Sequence, residues 1–152
     1  MLRILFVCRG NICRSTMAEC VFTQLVQEAG LSDRFTVDSA ATSTEEIGNP
    51  IYPPAERKLR EKGVRVLPHR ARQMKRADYD ACDLLIGMDE ANRRNMTRIA
   101  GGDAAGKIRL LLEFTDRPGE VSDPWYTRDF ERAYRDIRRG CEGLLSALRE
   151  KE

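Results

Sequence analysis

Four short apolar runs, Leu2–Val7, Phe35–Val37, Leu84–Ile86 and Ile108–Leu112, are separated by stretches in which apolar residues return at helical spacing. Unbroken apolar runs of this length suit strands covered on both faces, and strands alternating with helices are the pattern of β-α units around a parallel sheet. The pattern predicts an α/β domain of three layers. The first helix, from about Thr16, carries Met17, Val21 and Leu25 four residues apart, and Gly30 is placed to end it. A short second helix starts at Pro53-Pro54 and stops at Gly63, with Glu56/Arg60 and Arg57/Glu61 as i,i+4 pairs. Asp89 caps a third that runs to about Ile99 and ends at Gly101-Gly102. Its Ala91, Asn92, Asn95 and Met96 fall on different faces, which predicts a mostly exposed helix. The last helix, roughly Thr127 to Leu148, places Phe130, Tyr134, Ile137, Cys141, Leu144 and Leu148 in one continuous core-facing stripe. Two loop-rich segments remain, about Thr42–Pro54 and Thr115–Tyr126, and such segments commonly carry function.

Composition narrows the picture only a little. A chain of 152 residues suits one domain over 1–152, large enough to bury a core without staples. The formal charge of +2 and the interleaving of acidic and basic residues leave no basic tail or stripe for nucleic acid or an anionic membrane. Five irregularly spaced cysteines cannot all pair, and the first apolar run is too short for a signal peptide or membrane span; both predict a reduced, cytoplasmic protein.

The chemistry is concentrated in Val7-Cys8-Arg9-Gly10-Asn11-Ile12-Cys13-Arg14-Ser15, where a thiol, a guanidinium and a tight loop follow the first strand and precede the first helix. Ligands of open parallel sheets bind beyond the carboxyl ends of the strands. A helix start offers unpaired N–H groups and a dipole that favour anions, and both a thiolate and a phosphate dianion gain from that field. The amides of Arg9, Gly10, Asn11, Ile12, Cys13, Arg14 and Ser15 are therefore expected to form a phosphate-binding nest, with Arg14 adding two parallel donors. Gly10 and Asn11 are residue types that tolerate positive φ, which inward-pointing amides require. Ser15 is placed to donate its hydroxyl to the Cys8 sulfur, or simply to cap the helix.

The segment Cys8 to Ser15 reads C-x5-R-S and continues into Met17-Ala18-Glu19; in this extended form it resembles the low-molecular-weight protein tyrosine phosphatases. The likeness continues in order through Asp38-Ser39-Ala40, Gly48-Asn49-Pro50, His69-Arg70-Ala71-Arg72, Met88-Asp89 and Asp123-Pro124, nearly the whole chain. The resemblance implies a four-stranded parallel sheet flanked by helices, and hydrolysis through a phosphocysteine intermediate with neither metal nor cofactor. It implies Cys8 as nucleophile, Arg14 as phosphate ligand and Asp123 as general acid and then base, Pro124 aiming its carboxyl at the leaving oxygen. It further implies that His69, with Asn11 and Ser39, hydrogen-bonds the loop into shape, and that Cys8 and Cys13 form a reversible disulfide. Read by spacing alone, Cys8 and Cys13 leave a metal pair, a disulfide or chance open. A metal is disfavoured, since no second ligand cluster exists and His69 is the only histidine. Cys20, Cys82 and Cys141 occupy apolar positions and are expected to be inert core thiols.

Ile12, Trp125 and Tyr126 offer an apolar and aromatic wall, which favours phosphotyrosine as the leaving ester. The chain departs from the family pattern at Glu45-Glu46 in place of an aromatic rim residue, at Thr16 in place of proline and at Ala41 in place of glycine. An acidic rim admits a preference for basic neighbours, or phosphoarginine as the alternative substrate. Arsenate reduction, the sister activity on this fold, needs a cysteine pair where Cys82 stands alone. A non-catalytic phosphopeptide reader would need no leaving-group acid, and a nucleotide P-loop needs a lysine that is missing after the loop. The expected partners are phosphotyrosine proteins, with a tyrosine kinase as a further candidate, and the expected state is a monomer.

Overall fold

The computed structural model describes residues 1–150. Its sheet has the order β2-β1-β3-β4, built from β1 Leu2–Cys8, β2 Phe35–Ala41, β3 Leu84–Gly87 and β4 Ile108–Leu110, with every pair parallel. This is the four-stranded parallel sheet that the resemblance implies. The chain leaves β1 toward one edge and returns on its other side to β3, so the carboxyl end of β1 lies at the point where the winding reverses.

Alternation along β1 sends its side chains to two cores. Ile4, Phe6 and Cys8 join the core under α1 (Arg14–Glu28), α2 (Pro53–Glu61) and α6 (Phe130–Glu150), where Phe22 meets Phe6 and Phe35 edge-on at 5.7 and 5.6 Å. Leu5 and Val7 face Leu85, Met96, Ala100 and Ile108 beneath α4 (Glu90–Ala100). The expected stripe of α6 is seen, with Tyr134, Ile137, Cys141, Leu144 and Leu148 buried and Phe130 packed against the same core.

Several boundaries depart from the periodicity. The first helix starts at Arg14, two residues before Thr16, because the loop itself turns into the helix and buries Arg14, Ser15 and Thr16. α3 (Arg76–Ala81) has no apolar period and was invisible to it. α4 is less exposed than expected: Asn92, Met96 and Ala100, four apart, are buried against the sheet. Asp89 does cap it, its Oδ1 accepting the Asn92 amide at 2.8 Å. The run Ile108–Leu112 divides into β4 and a 3-10 turn, Leu111–Phe114. The segment before α6 forms a separate turn, α5 (Pro124–Thr127), and Arg128 at φ 61° breaks the helix before Phe130. Of the two pairs expected on α2, Glu56–Arg60 forms at 2.8 Å, whereas Arg57–Glu61 is not among the ion pairs of the described residues. Cys20 and Cys141 are core thiols, but Cys82 follows α3 at the sheet margin and is only half-buried.

Ser39 also departs from expectation. Its hydroxyl donates to Glu19 Oε1 at 2.6 Å and so joins β2 to α1 rather than holding the loop directly. Burial pushes the Glu19 carboxyl up from 4.5 to about 7, against the favourable Ser39 bond. The folded protein thus retains a proton that the unfolded chain releases earlier. That contribution to stability is complete below about pH 4.5 and lost as pH rises through about 7. Glu19→Gln keeps an oxygen for Ser39 and removes the titration. Its denaturation free energy relative to the parent should therefore rise by up to about 3 kcal/mol between pH 5 and 8, and a constant difference would exclude a raised Glu19.

α6 crosses the 3-10 turn closely because it has glycine where the two touch. A Cβ on Gly143 would lie 2.1 Å from the Phe114 carbonyl oxygen, and one on Gly140 2.4 Å from Leu111 Cγ. In an exposed helix Gly→Ala adds about 1 kcal/mol of stability, but overpacking against backbone costs about 1–3 kcal/mol or more. Gly143→Ala should lower the thermal midpoint by roughly 4–8 °C, the equivalent of about 2 kcal/mol, as read by circular dichroism.

Candidate active site

The end of β1, the turn 9–13 and the first turn of α1 wrap into a cup. Cys8 sits at its floor, 3% exposed. Cys13 occupies the position before α1 without a side-chain cap, so the helix start is left open to a ligand. Among the described residues, the amides of Gly10, Asn11, Ile12 and Cys13 donate no hydrogen bond. The loop's shape is held by its side chains instead. Of the two residues expected at positive φ, Gly10 does not take it; only Asn11 does, at 59°, and it is completely buried. Its Oδ1 accepts the Arg72 amide at 3.2 Å and its Nδ2 donates to Ser15 Oγ at 2.8 Å. Ser15 Oγ lies 3.1 Å from Cys8 Sγ. Because Asn11 Nδ2 can only donate, the Ser15 oxygen accepts there, and its proton is free for the sulfur.

His69 and Thr16 close the loop from behind. The Thr16 hydroxyl donates to the Asn11 carbonyl at 3.1 Å, and His69 Nε2 reaches the same oxygen and lies 3.1 Å from Thr16 Oγ1. A carbonyl only accepts, which assigns the proton to Nε2. Burial lowers the affinity of the ring for a second proton, against the opposing Asn11 bond, so the imidazole is neutral at pH 7. The residue that replaces the family's proline, Thr16, thus shares a carbonyl with His69.

Arg14 is 3% exposed. Its Nη1 donates to Asp89 Oδ2 and to the Val121 carbonyl, both at 2.8 Å, and its Nη2 lies 3.3 Å from Asp123 Oδ2. Burial opposes the charge, but Cys8, Asp123 and Asp89 outweigh it and raise the guanidinium above its ordinary value. Nη1 is consumed by this grip, which leaves Nε and Nη2 as the parallel pair of donors expected for a phosphate. Asp89, anticipated only as a helix cap, therefore has two duties: Oδ1 caps α4 and Oδ2 holds Arg14. The Val121 amide bonds the Met88 carbonyl at 2.9 Å, fixing the segment that carries Asp123 to the end of β3. Asp123 Oδ1 accepts the Trp125 amide at 3.0 Å, so the acid caps the turn that follows it.

Ile12, Trp125 and Tyr126 line the mouth of a cavity of about 150 Å³ above Cys8, Trp125 and Tyr126 exposed and Ile12 buried. Tyr52, which sequence patterns did not single out, ties the mouth together. Its amide bonds the Ile12 carbonyl at 2.9 Å, and its ring packs on Trp125 at 5.0 Å and Phe130 at 6.1 Å. Its hydroxyl accepts Arg128 Nη1 at 3.0 Å, and that guanidinium lies over the Trp125 ring at 5.7 Å. The signal for Tyr52 was only its place between two proline-rich steps. Also at the rim, Arg9 pairs with Glu45 at 2.7 Å, both well exposed, and Glu46 Oε2 accepts the Asn49 amide group at 2.6 Å. The departure at Glu45-Glu46 is thus partly neutralised by this chain's own Arg9. Cys13 shares the loop, and burial, followed by the neighbouring Cys8, pushes its thiol well up.

The family model described as low molecular weight phosphotyrosine protein phosphatase matches residues 3–152. Among similar sequences is the low molecular weight protein-tyrosine-phosphatase YfkJ of Bacillus subtilis (strain 168), 36% identical over 154 aligned positions that cover 100% of this chain and 99% of that protein. A low molecular weight phosphotyrosine protein phosphatase of Rattus norvegicus is 39% identical over 147 positions, covering 93% and 92%. The crystal structure of YfkJ superposes with a TM-score of 0.96 over 100% of this chain and 97% of that one. A drosophila arginine phosphatase, DARP, superposes at 0.87 with 28% identity, covering 97% and 98%. By family match, by identity along nearly its whole length and by fold, this chain belongs to the low molecular weight phosphotyrosine protein phosphatases.

Proposed function

We propose that the cup hydrolyses protein phosphotyrosine in two displacements at phosphorus. The Cys8 sulfur attacks, an S–P bond forms as the bond from phosphorus to the tyrosyl oxygen breaks, and Asp123 gives its proton to that oxygen. The loop amides and Arg14 bind the three equatorial oxygens in the positions they take as charge develops, and this fixed field is the main source of acceleration. Asp123, now a carboxylate, takes a proton from the water that attacks the phosphocysteine. The sulfur leaves as a thiolate toward the Ser15 hydroxyl. The observation that carries this reading is the convergence on Arg14: its side chain reaches Asp123 at 3.3 Å while its backbone begins the helix one turn from the Cys8 floor.

The walls support tyrosine as the leaving group, since Ile12 and the Trp125 and Tyr126 rings flank the opening where a phenyl ring would enter. Similarity to DARP supports phosphoarginine as a second reading. Of the two glutamates on the rim, Glu45 is already paired with Arg9 and Glu46 with Asn49. Cys13, in the same loop as the nucleophile, is the proposed partner in a disulfide formed under peroxide and reopened by a thiol reductant, two thiols being oxidised as peroxide becomes water. The proposed setting is a monomer acting in the cytoplasm on phosphotyrosine proteins.

Two variants test the roles. Cys8→Ser should abolish turnover while inorganic phosphate still binds, because the amides and Arg14 remain. Measurable turnover would remove Cys8 as nucleophile. Asp123→Ala should lower kcat on a phosphotyrosine peptide by about 10²–10⁴-fold and on p-nitrophenyl phosphate much less, because that leaving group needs little protonation. Equal losses on the two substrates would refute the acid role.

A further inference from the structure

A second concavity opens beside the cup. It has a volume of about 430 Å³, against about 150 Å³ for the cup, and the two share Arg9, Arg14, Ser43, Glu45, Asp123 and Tyr126 as common walls. One further wall is the start of the loop after β2, through Thr42, and the other is α4. The helix faces it with Ala91, Asn95 and Arg98 at positions i, i+4 and i+7, one stripe of the helix. The neighbouring stripe, Asn92, Met96 and Ala100, is the one buried against the sheet.

The charges along this groove are matched except at its far end. Arg9 is paired with Glu45, and Arg14 with Asp89 and Asp123. The Arg98 guanidinium has no carboxylate or hydrogen-bond partner among the described residues, unlike Arg9 and Arg14 at the near end. Asn95, half-buried and lining the same groove, offers an amide whose donor and acceptor have no partner among the described residues, the complement of a peptide group. From Ala91 to Arg98 the helix advances about 10.5 Å at 1.5 Å per residue. Extended chain rises about 3.3 Å per residue, so the stripe spans about three residues of a bound strand.

We propose that this groove binds the substrate segment beside the phosphotyrosine as an extended strand, Asn95 bonding its backbone and Arg98 meeting an acidic side chain about three residues from the phosphotyrosine. The inference rests on the phosphotyrosine reading above and assigns Asn95 and Arg98 as specificity-determining residues. The occupant is the substrate's own chain because the groove shares walls with the cup, and a phosphotyrosine seated on Cys8 must pass its flanking residues across one of those walls. Arg98 then distinguishes acidic from basic neighbours, a role opposite to the one that Glu45-Glu46 suggested from sequence.

The test uses three phosphotyrosine peptides that differ only in carrying Glu, Ala or Lys three residues from the phosphotyrosine, in two sets for the two sides. The full chain is assayed beside Arg98→Glu and Asn95→Ala, with p-nitrophenyl phosphate as the substrate that cannot reach the groove. The Glu peptide of one set should exceed its Lys counterpart in kcat/KM by about 3–5-fold, the size expected of an exposed ion pair, chiefly through KM, and less so at 1 M salt. Arg98→Glu should reverse that order, and Asn95→Ala should weaken all peptides of that set, both without effect on p-nitrophenyl phosphate. Identical rates across all peptides, or variants that slow the small ester and the peptides alike, would overturn the groove alone. Hydrolysis of p-nitrophenyl phosphate with no phosphotyrosine peptide turned over would overturn the reading beneath it.

Discussion

A guanidinium removed from water must be surrounded by partners or it unfolds its own site, and the active end of this protein is organised around that requirement at Arg14. The residue is 3% exposed and draws its partners from Asp89 after β3 and from Val121 and Asp123 before α6. Taking one partner from a buried ion pair commonly costs about 3–5 kcal/mol, so the three segments cannot drift apart cheaply. The consequence is functional geometry. The Asp123 carboxylate at the rim and the Cys8 loop at the floor share one rigid cation, although 109 residues separate Arg14 from Asp123.

Around that cation the remaining polar groups fix the orientation of the loop. Asn11 accepts a left-handed backbone and satisfies it with bonds to Arg72 and Ser15, while Thr16 and His69 meet at its carbonyl. The result is a chain of hydrogen bonds with a fixed direction that ends in a hydroxyl proton facing Cys8. A neutral His69 suits this role, since the one proton on its Nε2 is all that the Asn11 carbonyl needs. Tyr52 does for the mouth what Asn11 does for the floor, joining Ile12 of the cup to Trp125 and Arg128 of the acid segment.

Much of this was legible before any coordinates. The apolar runs located all four strands and the α6 stripe, because burial on both faces of a sheet or on one face of a helix leaves a periodic mark. The cup was legible because its residues are contiguous: a strand end, a turn tolerant of positive φ and a helix start lie within eight positions of Cys8. Asp123 was singled out by likeness to a family rather than by physics, since an aspartate before proline looks like any turn, and the fold sets its carboxylate 3.3 Å from Arg14. Ser39 was assigned to the loop by the same likeness, and its hydroxyl instead meets Glu19.

The order of residues alone determined the chemistry on offer, a sulfur, a nest of amides and an arginine, together with the layered scaffold that presents them. Only the folded chain decided that Asp89 would hold Arg14 as well as cap a helix, that Tyr52 would bind two loops, and that Gly143 would admit the Phe114 carbonyl. Periodicity records which face of an element is buried but not which neighbour it meets there. Hydrogen bonds and close contacts between distant segments depend on distances of tenths of an ångström, and these exist only once the layers have packed.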